Sequence, residues 1–376
     1  MLVLAAMLPA GPAAAQEFET KAQQAFMIDA ETGTVLFSKD PDKLIPPASM
    51  AKLMTSEMIF NAIKTKEHAL TDTFVVSEHA WRTGGAPAGG STMFAELKSV
   101  IPLDALLQGI IVQSANDGCI IVAEGFAGSE DKFAKLMTER ARTLGMEKSV
   151  FKNSTGLPAE GQVVTVRELA TLGLHMWKEY PDLYKYYSQP EFKWNKINQR
   201  NRNPLLTMGI GADGMQTGYT EESGYAIVAS ASSGGRRVFA AMGGLSSDRE
   251  RAEEARKLID WGMKAFDRKL LFADGAVIGE ASVFGGAKGG VALKAKGPVE
   301  ILVPVDNRDK MIARIVYEGP VVAPVEPGIP VGSLKIWIGD TLSQETPLFT
   351  AESVGVGSLS QRAFGAVEEL LIGWMR

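Results

Sequence analysis

The stretch IPPASMAKLMTSEMIF, Ile45–Phe60, joins an extended segment to an apolar helix and sets a lysine inside that helix. Pro46 and Pro47 end the extended run, and Ser49 opens a helix that the apolar spacing carries to about Lys64. Lys52 falls one turn after Ser49, and residues three apart share a helix face. Burial works against a lysine's charge and lowers its pKa from about 10.4 by as much as ~3–5 units. A lysine neutralised in this way is a base, and a serine hydroxyl is a weak nucleophile until a base stands beside it. The helix N-terminus adds N–H groups that can stabilise charge developing near Ser49. Taken alone, the stretch fits equally a capping serine beside a lysine that carries its charge out to water.

Working outward, QAFMIDAETGTVLFSKD reads as two short strands around a turn at Glu31-Thr32-Gly33. Helical patterning returns in PLDALLQGIIVQSANDGCIIVAEGF, EDKFAKLMTERARTLG and TVRELATLGLHMWKEYP. YAIVASA and RVFAAMGG, split by Ser232-Ser233-Gly234-Gly235, form a hairpin of buried strands, with Gln216-Thr217-Gly218 on or beside the strand before it. A helix from about Arg249 to Phe266 follows. Strands at both ends with helices between them predict an α/β fold of the α+β kind, an antiparallel sheet covered by helices, over residues 16–268. From about Lys269 the chain changes to short strands such as VEILVPV, MIARIVYEG and SLKIWIGD between Gly and Pro, which predicts a small all-β domain over 269–355.

The two ends differ from the rest. MLVLAAMLPAGPAAAQ is apolar and small, ending in an Ala-x-Ala pattern, and residues 1–15 are expected to be a secretory signal peptide without the usual positive start. At the other end, SLSQRAFGAVEELLIGWMR is helical again, with Ser358 and Gln361 spaced as a capping box. Phe364, Val367, Leu371, Trp374 and Met375 recur along one stripe, so residues 356–376 form an amphipathic helix suited to a bilayer interface or to docking on the β domain. No internal apolar run approaches the roughly 20 residues of a membrane span.

Composition removes several function classes. Net charge over the 376 residues is −5 with no long basic run, so nucleic acid is not an expected partner. One cysteine, Cys119, excludes an internal disulfide, and its apolar surroundings suggest core packing rather than a reactive thiol. His68, His79 and His175 are scattered, so neither a metal nor another cofactor is expected.

Ser-x-x-Lys recurs at Ser129/Lys132 and Ser149/Lys152. Ser129 reads as the cap of a solvated helix, and Ser149 lies in an extended piece where positions three apart face opposite ways. Only Ser49 starts an apolar helix. Two further pieces join it. QSANDG puts Ser114 and Asn116 in a polar break between apolar helical runs, where side chains can enter a cleft. DGMQTGYT sets a Thr-Gly pair beside a strand, where a ligand backbone can come close.

These three pieces, in this order, resemble the S-x-x-K, S-D-N and K-T-G set of the penicillin-recognising serine enzymes. The chain looks most like the low-molecular-mass penicillin-binding proteins, the D-alanyl-D-alanine carboxypeptidases. The likeness extends to NSTGLP, NRNPLL, GYAIVASA, the β domain and the terminal helix. It implies a transpeptidase-like domain, Ser49 as acyl-accepting nucleophile, Lys52 as its base, and Ser114 as proton relay to the leaving group. It implies that Asn116 holds the substrate amide and Thr217 the terminal carboxylate, with Gly218 beside it. The N–H groups of Ser49 and Tyr219 would form the oxyanion hole, and Arg251 matches a family arginine near the carboxylate pocket.

The sequence departs from the pattern at Gln216, where the family has lysine. Glutamine can hydrogen-bond but brings no charge, and a hydrogen bond to a charged partner contributes about 1.5–3 kcal/mol against about 1 for a neutral one. That difference corresponds to around one order of magnitude in acylation rate, and Arg251 is the residue that could compensate. The implied activity is removal of the terminal D-alanine from peptidoglycan stem peptides, with β-lactams as covalent inhibitors. The implied location is the periplasm, at the outer face of the inner membrane through 358–376. A non-catalytic wall-binding protein and a β-lactamase are the alternatives. The latter ranks last, because no counterpart of its acidic deacylating residue is recognisable in NSTGLP or nearby.

Overall fold

The computed structural model describes residues 18–305 and 310–363. Its first unit is built on a five-stranded sheet, in the order Val35–Lys39, Gln24–Asp29, Arg236–Leu245, Gly224–Ser233 and Ala212–Thr220, every neighbouring pair antiparallel. The first and last parts of the unit meet along Ala25↔Met242, so the helices between them are inserted into one sheet.

The inner strands are apolar at almost every position because both faces are covered. Alternate residues point opposite ways. Phe26, Val228 and Phe239 face a core shared with Met54, Phe60, Ile110 and Ile120 of the inserted helices. Met27, Ala229 and Ala240 face Leu258 and Ile259 of the helix Asp248–Lys264. The inserted helices span Lys52–Thr65, Leu103–Val112, Asn116–Ala127, Glu130–Thr143 and Val166–Glu179. The helices and long strands follow the sequence reading. Two short hairpins, Thr73–Val75 with Val100–Pro102 and Glu191–Trp194 with Ile197–Arg200, do not appear in it.

The second unit is all-β. Six strands lie in the order Met311–Tyr317, Pro330–Ile338, Thr341–Thr350, Gly290–Lys294, Gly279–Phe284 and Val321–Val322. A separate pair, Phe266–Phe272 with Val299–Pro304, closes them against the first unit. The strand starts at Phe266, ahead of the Lys269 read from the pattern, because Phe266 and Leu302 belong to the core under the Asp248–Lys264 helix. Thr34 Oγ1 bridges the units, accepting from Leu302 N at 3.2 Å and donating to Gln344 Oε1 at 3.2 Å. Arg268 pairs with Glu31 across the same seam.

The expected leader, 1–15, lies outside the described residues, as do all five apolar positions of the terminal stripe. The start of that helix is described: Ser358 N donates to Gln361 Oε1 at 2.8 Å and Gln361 N to Ser358 Oγ at 3.4 Å, the reciprocal bonds of a capping box. Among the described residues no helix is long and apolar enough to cross a membrane.

Candidate functional site

Ser49 lies in a 3₁₀ turn, Ala48–Ala51, that runs into the helix Lys52–Thr65. Ala48 enters it at φ +47°, a left-handed conformation that an alanine holds only under surrounding constraint. Lys52 is fully buried, and its Nζ donates to Ser49 Oγ at 2.8 Å and to the carbonyl of Thr155 at 2.7 Å. No carboxylate among the described residues pairs with it, so burial dominates and brings its pKa down to about 8. The positive charge of Arg202 pushes the same way, while Cys119, Asp117 and Glu130 oppose it.

The carbonyl that holds Lys52 comes from the loop Asn153–Gly156. Asn153 Oδ1 accepts from Gly156 N at 2.7 Å, and Thr55 Oγ1 donates to Ser154 O at 2.7 Å, which fastens the loop to the Lys52 helix. Gly156 has φ +80° and passes so close to Ala48 that a Cβ would lie 1.8 Å from its carbonyl oxygen. The loop and the turn before Ser49 therefore hold one another in place.

The predicted break between helices is present. Leu103–Val112 ends, Gln113–Ala115 turns, and Asn116–Ala127 begins. Ser114 sits in the turn at φ +59°, its Oγ buried and without a hydrogen-bond partner among the described residues. An orphaned buried hydroxyl is costly in a finished core and apt in a site that awaits a ligand. Asn116 N donates to Ser91 O at 2.8 Å, which ties the break to the loop before it.

Asp117 anchors that loop. Its buried carboxylate accepts from Thr92 Oγ1 at 2.6 Å, Met93 N at 3.0 Å and Ala95 N at 3.0 Å. It also accepts from Gly118 N at 3.0 Å, so removing it leaves four buried donors without this partner, each worth about 1–3 kcal/mol. Asp117→Ala is expected to lower stability by about 3 kcal/mol or more, seen in thermal melting; Asp117→Asn, which still accepts, is expected to lose less.

Ala212–Thr220 is the outer strand of the sheet and carries the third motif. Gln216 is buried and its Nε2 donates to Ile110 O at 3.4 Å. Thr217 is almost buried, and a Cβ on Gly218 would stand 3.0 Å from Ala48 Cβ and 3.3 Å from Ser49 N. The strand thus passes directly over the turn that bears Ser49. Tyr219 is 51% exposed, its ring centroid 4.3 Å from that of Tyr225. The Arg251 guanidinium is 5.6 Å from the Tyr225 ring, is paired with Asp248, and has its Nε buried without a partner among the described residues.

The other serine–lysine pairs are structural. Ser129 caps the helix Glu130–Thr143, and Ser149 Oγ donates to the Glu168 carboxylate at 2.5 Å. Cys119 is a core residue whose thiol burial raises to about 12. No cluster of three or more His, Cys, Asp or Glu among the described residues could hold a metal ion. The Thr155 carbonyl, Gly156 and Asp117 escaped the motif reading, the first because a backbone acceptor has no side-chain signature.

Residues 11–245 match the D-alanyl-D-alanine carboxypeptidase family, and residues 266–356 match the penicillin-binding protein 5 C-terminal domain. The D-alanyl-D-alanine carboxypeptidase DacC of Escherichia coli (strain K12) is 34% identical over 344 residues, covering 91% of this chain and 86% of its own. DacA of the same organism is 30% identical over 356 residues, 94% of this chain and 88% of its own. Among solved structures, penicillin binding protein 5 from Haemophilus influenzae superposes with a TM-score of 0.76 at 30% identity, over 91% of this chain and 100% of that one. Ampicillin-bound penicillin-binding protein D2 from Listeria monocytogenes gives a TM-score of 0.57 at 26% identity, over 66% of this chain and 100% of its own.

Proposed function

The chain belongs to the D-alanyl-D-alanine carboxypeptidase family, a family of hydrolases, and we propose that it releases the terminal D-alanine of peptidoglycan stem peptides through an acyl-enzyme on Ser49. The observation that carries the reading is the bond from buried Lys52 to Ser49 Oγ at 2.8 Å. In its neutral form Lys52 takes the Ser49 proton as Oγ attacks the carbonyl of the penultimate D-alanine. The oxyanion forms between the N–H groups of Ser49 and Tyr219, on the two segments that Gly218 lets approach. As the tetrahedral species collapses, Ser114 Oγ gives its proton to the leaving amine and takes up the one held by Lys52, so that D-alanine departs and Lys52 is again neutral. Water then hydrolyses the ester and Ser49 regains its proton.

Substrate would lie along Ala212–Thr220, whose outer edge has no neighbouring strand among the described residues. Extended peptides add to such edges through main-chain hydrogen bonds. Asn116 would hold the peptide amide, and Thr217 and Arg251 the terminal carboxylate. A β-lactam presents a strained amide and a carboxylate to the same groups and would acylate Ser49, as the ampicillin-bound relative suggests. We also propose that 1–15 is an export leader and that the helix capped by Ser358 lies on a membrane, with the enzyme in the periplasm; Val356, expected in that helix, instead bridges to Gly286 in the β unit.

The test is D-alanine release from diacetyl-L-Lys-D-Ala-D-Ala together with labelling by a fluorescent penicillin. Wild type is expected to turn over and to label once per chain, and Ser49→Ala to do neither. The neutral side chain at Gln216 favours a second reading, a wall-binding protein that has lost turnover. A silent wild type and an active Gln216→Lys variant would support that one, whereas rapid loss of the label would point to a β-lactamase.

A further inference from the structure

Gln216 leaves the third motif without a cation, yet an arginine is bonded to the same helix end as Gln216. The segment Asn201–Asn203 is fixed by its own amides: Asn201 Nδ2 donates to Gln189 O at 2.9 Å, and Asn203 N donates to Asn201 Oδ1 at 2.9 Å. Between them, Arg202 N donates to Val112 O at 3.1 Å, and Arg202 Nε reaches Gln113 Oε1 at 3.4 Å. Gln216 Nε2 bonds Ile110 O at 3.4 Å. Arg202 and Gln216 are therefore both tied to the last turn of the helix Leu103–Val112, immediately before Ser114. The Arg202 side chain is exposed and has no carboxylate partner among the described residues.

We propose that Arg202 takes over the charge of the absent third-motif lysine, receiving the substrate's terminal carboxylate together with Arg251. This rests on the carboxypeptidase reading and goes beyond it, since that reading assigns no role to Arg202. A guanidinium suits the task because its planar fork matches a carboxylate in two bonds. Its field reaches both centres of the site, lowering the pKa of Lys52 and of Arg251. Of the groups facing Lys52, Cys119, Asp117 and Glu130 act in the opposite sense, so Arg202 is the charge that helps to keep the base unprotonated.

The experiment is a cycle of four full-length proteins: wild type, Arg202→Gln, Gln216→Lys and the double variant. kcat/KM for D-alanine release from diacetyl-L-Lys-D-Ala-D-Ala is measured against pH. The same tripeptide with an amidated C-terminus, followed by release of D-alaninamide, is the second substrate. Arg202→Gln is expected to lose about 30-fold, about 2 kcal/mol at 1.36 kcal/mol per decade, the order of one charge-assisted contact. Its acid limb is expected to move to higher pH. In the Gln216→Lys background the same change is expected to cost under about threefold; the amidated tripeptide, lacking the carboxylate, is expected to show only the shifted acid limb and no loss on the plateau above it. Arg202→Lys keeps the charge and is expected to keep most activity, which separates charge from scaffolding should Arg202→Gln fold poorly.

Equal losses in both backgrounds, or an unmoved acid limb, overturn the proposal while the carboxypeptidase reading stands. A wild type with neither turnover nor penicillin labelling overturns both.

Discussion

Lys52→Met is expected to abolish turnover and at the same time to raise thermal stability at neutral pH. Loss of a general base costs about 10²–10⁴-fold, read as penicillin acylation and D-alanine release. The wild-type rate carries the signature of the same group. With the Lys52 pKa at about 8, kcat/KM is expected to fall about tenfold per pH unit below that value and to level off above it. The stability effect has the opposite sign. Lys52 is protonated up to about 10.5 when unfolded but only below about 8 when folded, so between those values the unfolded chain holds one proton more. Unfolding therefore becomes harder as pH rises through that window. The cost of the buried lysine is full below about 8 and gone above about 10.5.

That cost at pH 7 is about 3 kcal/mol, by the usual conversion of a pKa difference. Methionine removes it but leaves the Thr155 carbonyl without its donor, which offsets about 1–2 kcal/mol. A net gain of about 1–2 kcal/mol is expected at pH 7, shrinking to a loss above pH 10.5. Melting curves of both proteins across that range read it directly. A variant less stable than wild type at pH 7 would mean that Lys52 is not held under strain by burial.

Gly156→Ala is expected to damage catalysis through the loop that holds Lys52. An L-residue at φ +80° is strained by about 1–2 kcal/mol, against which a stiffer unfolded chain returns about 0.4–1 kcal/mol. The larger effect is steric. A Cβ 1.8 Å from Ala48 O cannot be accommodated, so either the loop or the turn must move. Loop movement withdraws the Thr155 carbonyl from Lys52, and turn movement shifts Ser49. A displacement of ~1 Å at a reacting atom costs about 10²-fold, so an acylation rate about 100-fold lower is expected. Gly161→Ala is the control: its φ is +74°, but the added Cβ meets only Lys152 Cε at 3.5 Å. That variant is expected to melt earlier and to acylate at the wild-type rate.

The features legible in the sequence were those carried by local spacing. Ser49 and Lys52 meet because three residues bring side chains to one helix face, and an apolar neighbourhood of Met50, Leu53 and Met54 predicts that the lysine is buried. Ser114 and Asn116 were legible as polar residues that interrupt an apolar run. The sheet was legible because strands buried on both faces, such as Gly224–Ser233, leave long apolar stretches between glycines.

What escaped depends on topology. The Thr155 carbonyl and Gly156 arrive from far along the chain, and a backbone oxygen or a missing Cβ has no pattern of its own. Arg202 belongs to an irregular segment whose place is set by bonds to Val112, Gln113 and Gln189, none of them sequence neighbours. Asp117 read as one member of a polar cluster, and its grip on Thr92, Met93 and Ala95 follows only from folding that loop back. Hairpins of three or four residues per strand, such as Thr73–Val75, are too short to establish a period.

The seam between the two units has a mechanical meaning. The helix Asp248–Lys264 passes to the strand Phe266–Phe272 through Ala265 alone, and Phe266, Thr34 with Leu302, and Arg268 with Glu31 brace the joint on several sides. At the far end, Gln361 Nε2 donates to Ala287 O at 3.2 Å and Gly357 N to Gly285 O at 2.9 Å, which fixes the point where the chain leaves the β unit. The β unit then behaves as a stiff mast, not a leash. A surface that gripped the chain beyond 361 would be joined to the Ser49 cleft through these braced contacts instead of through a flexible linker, and would set the height and bearing of that cleft.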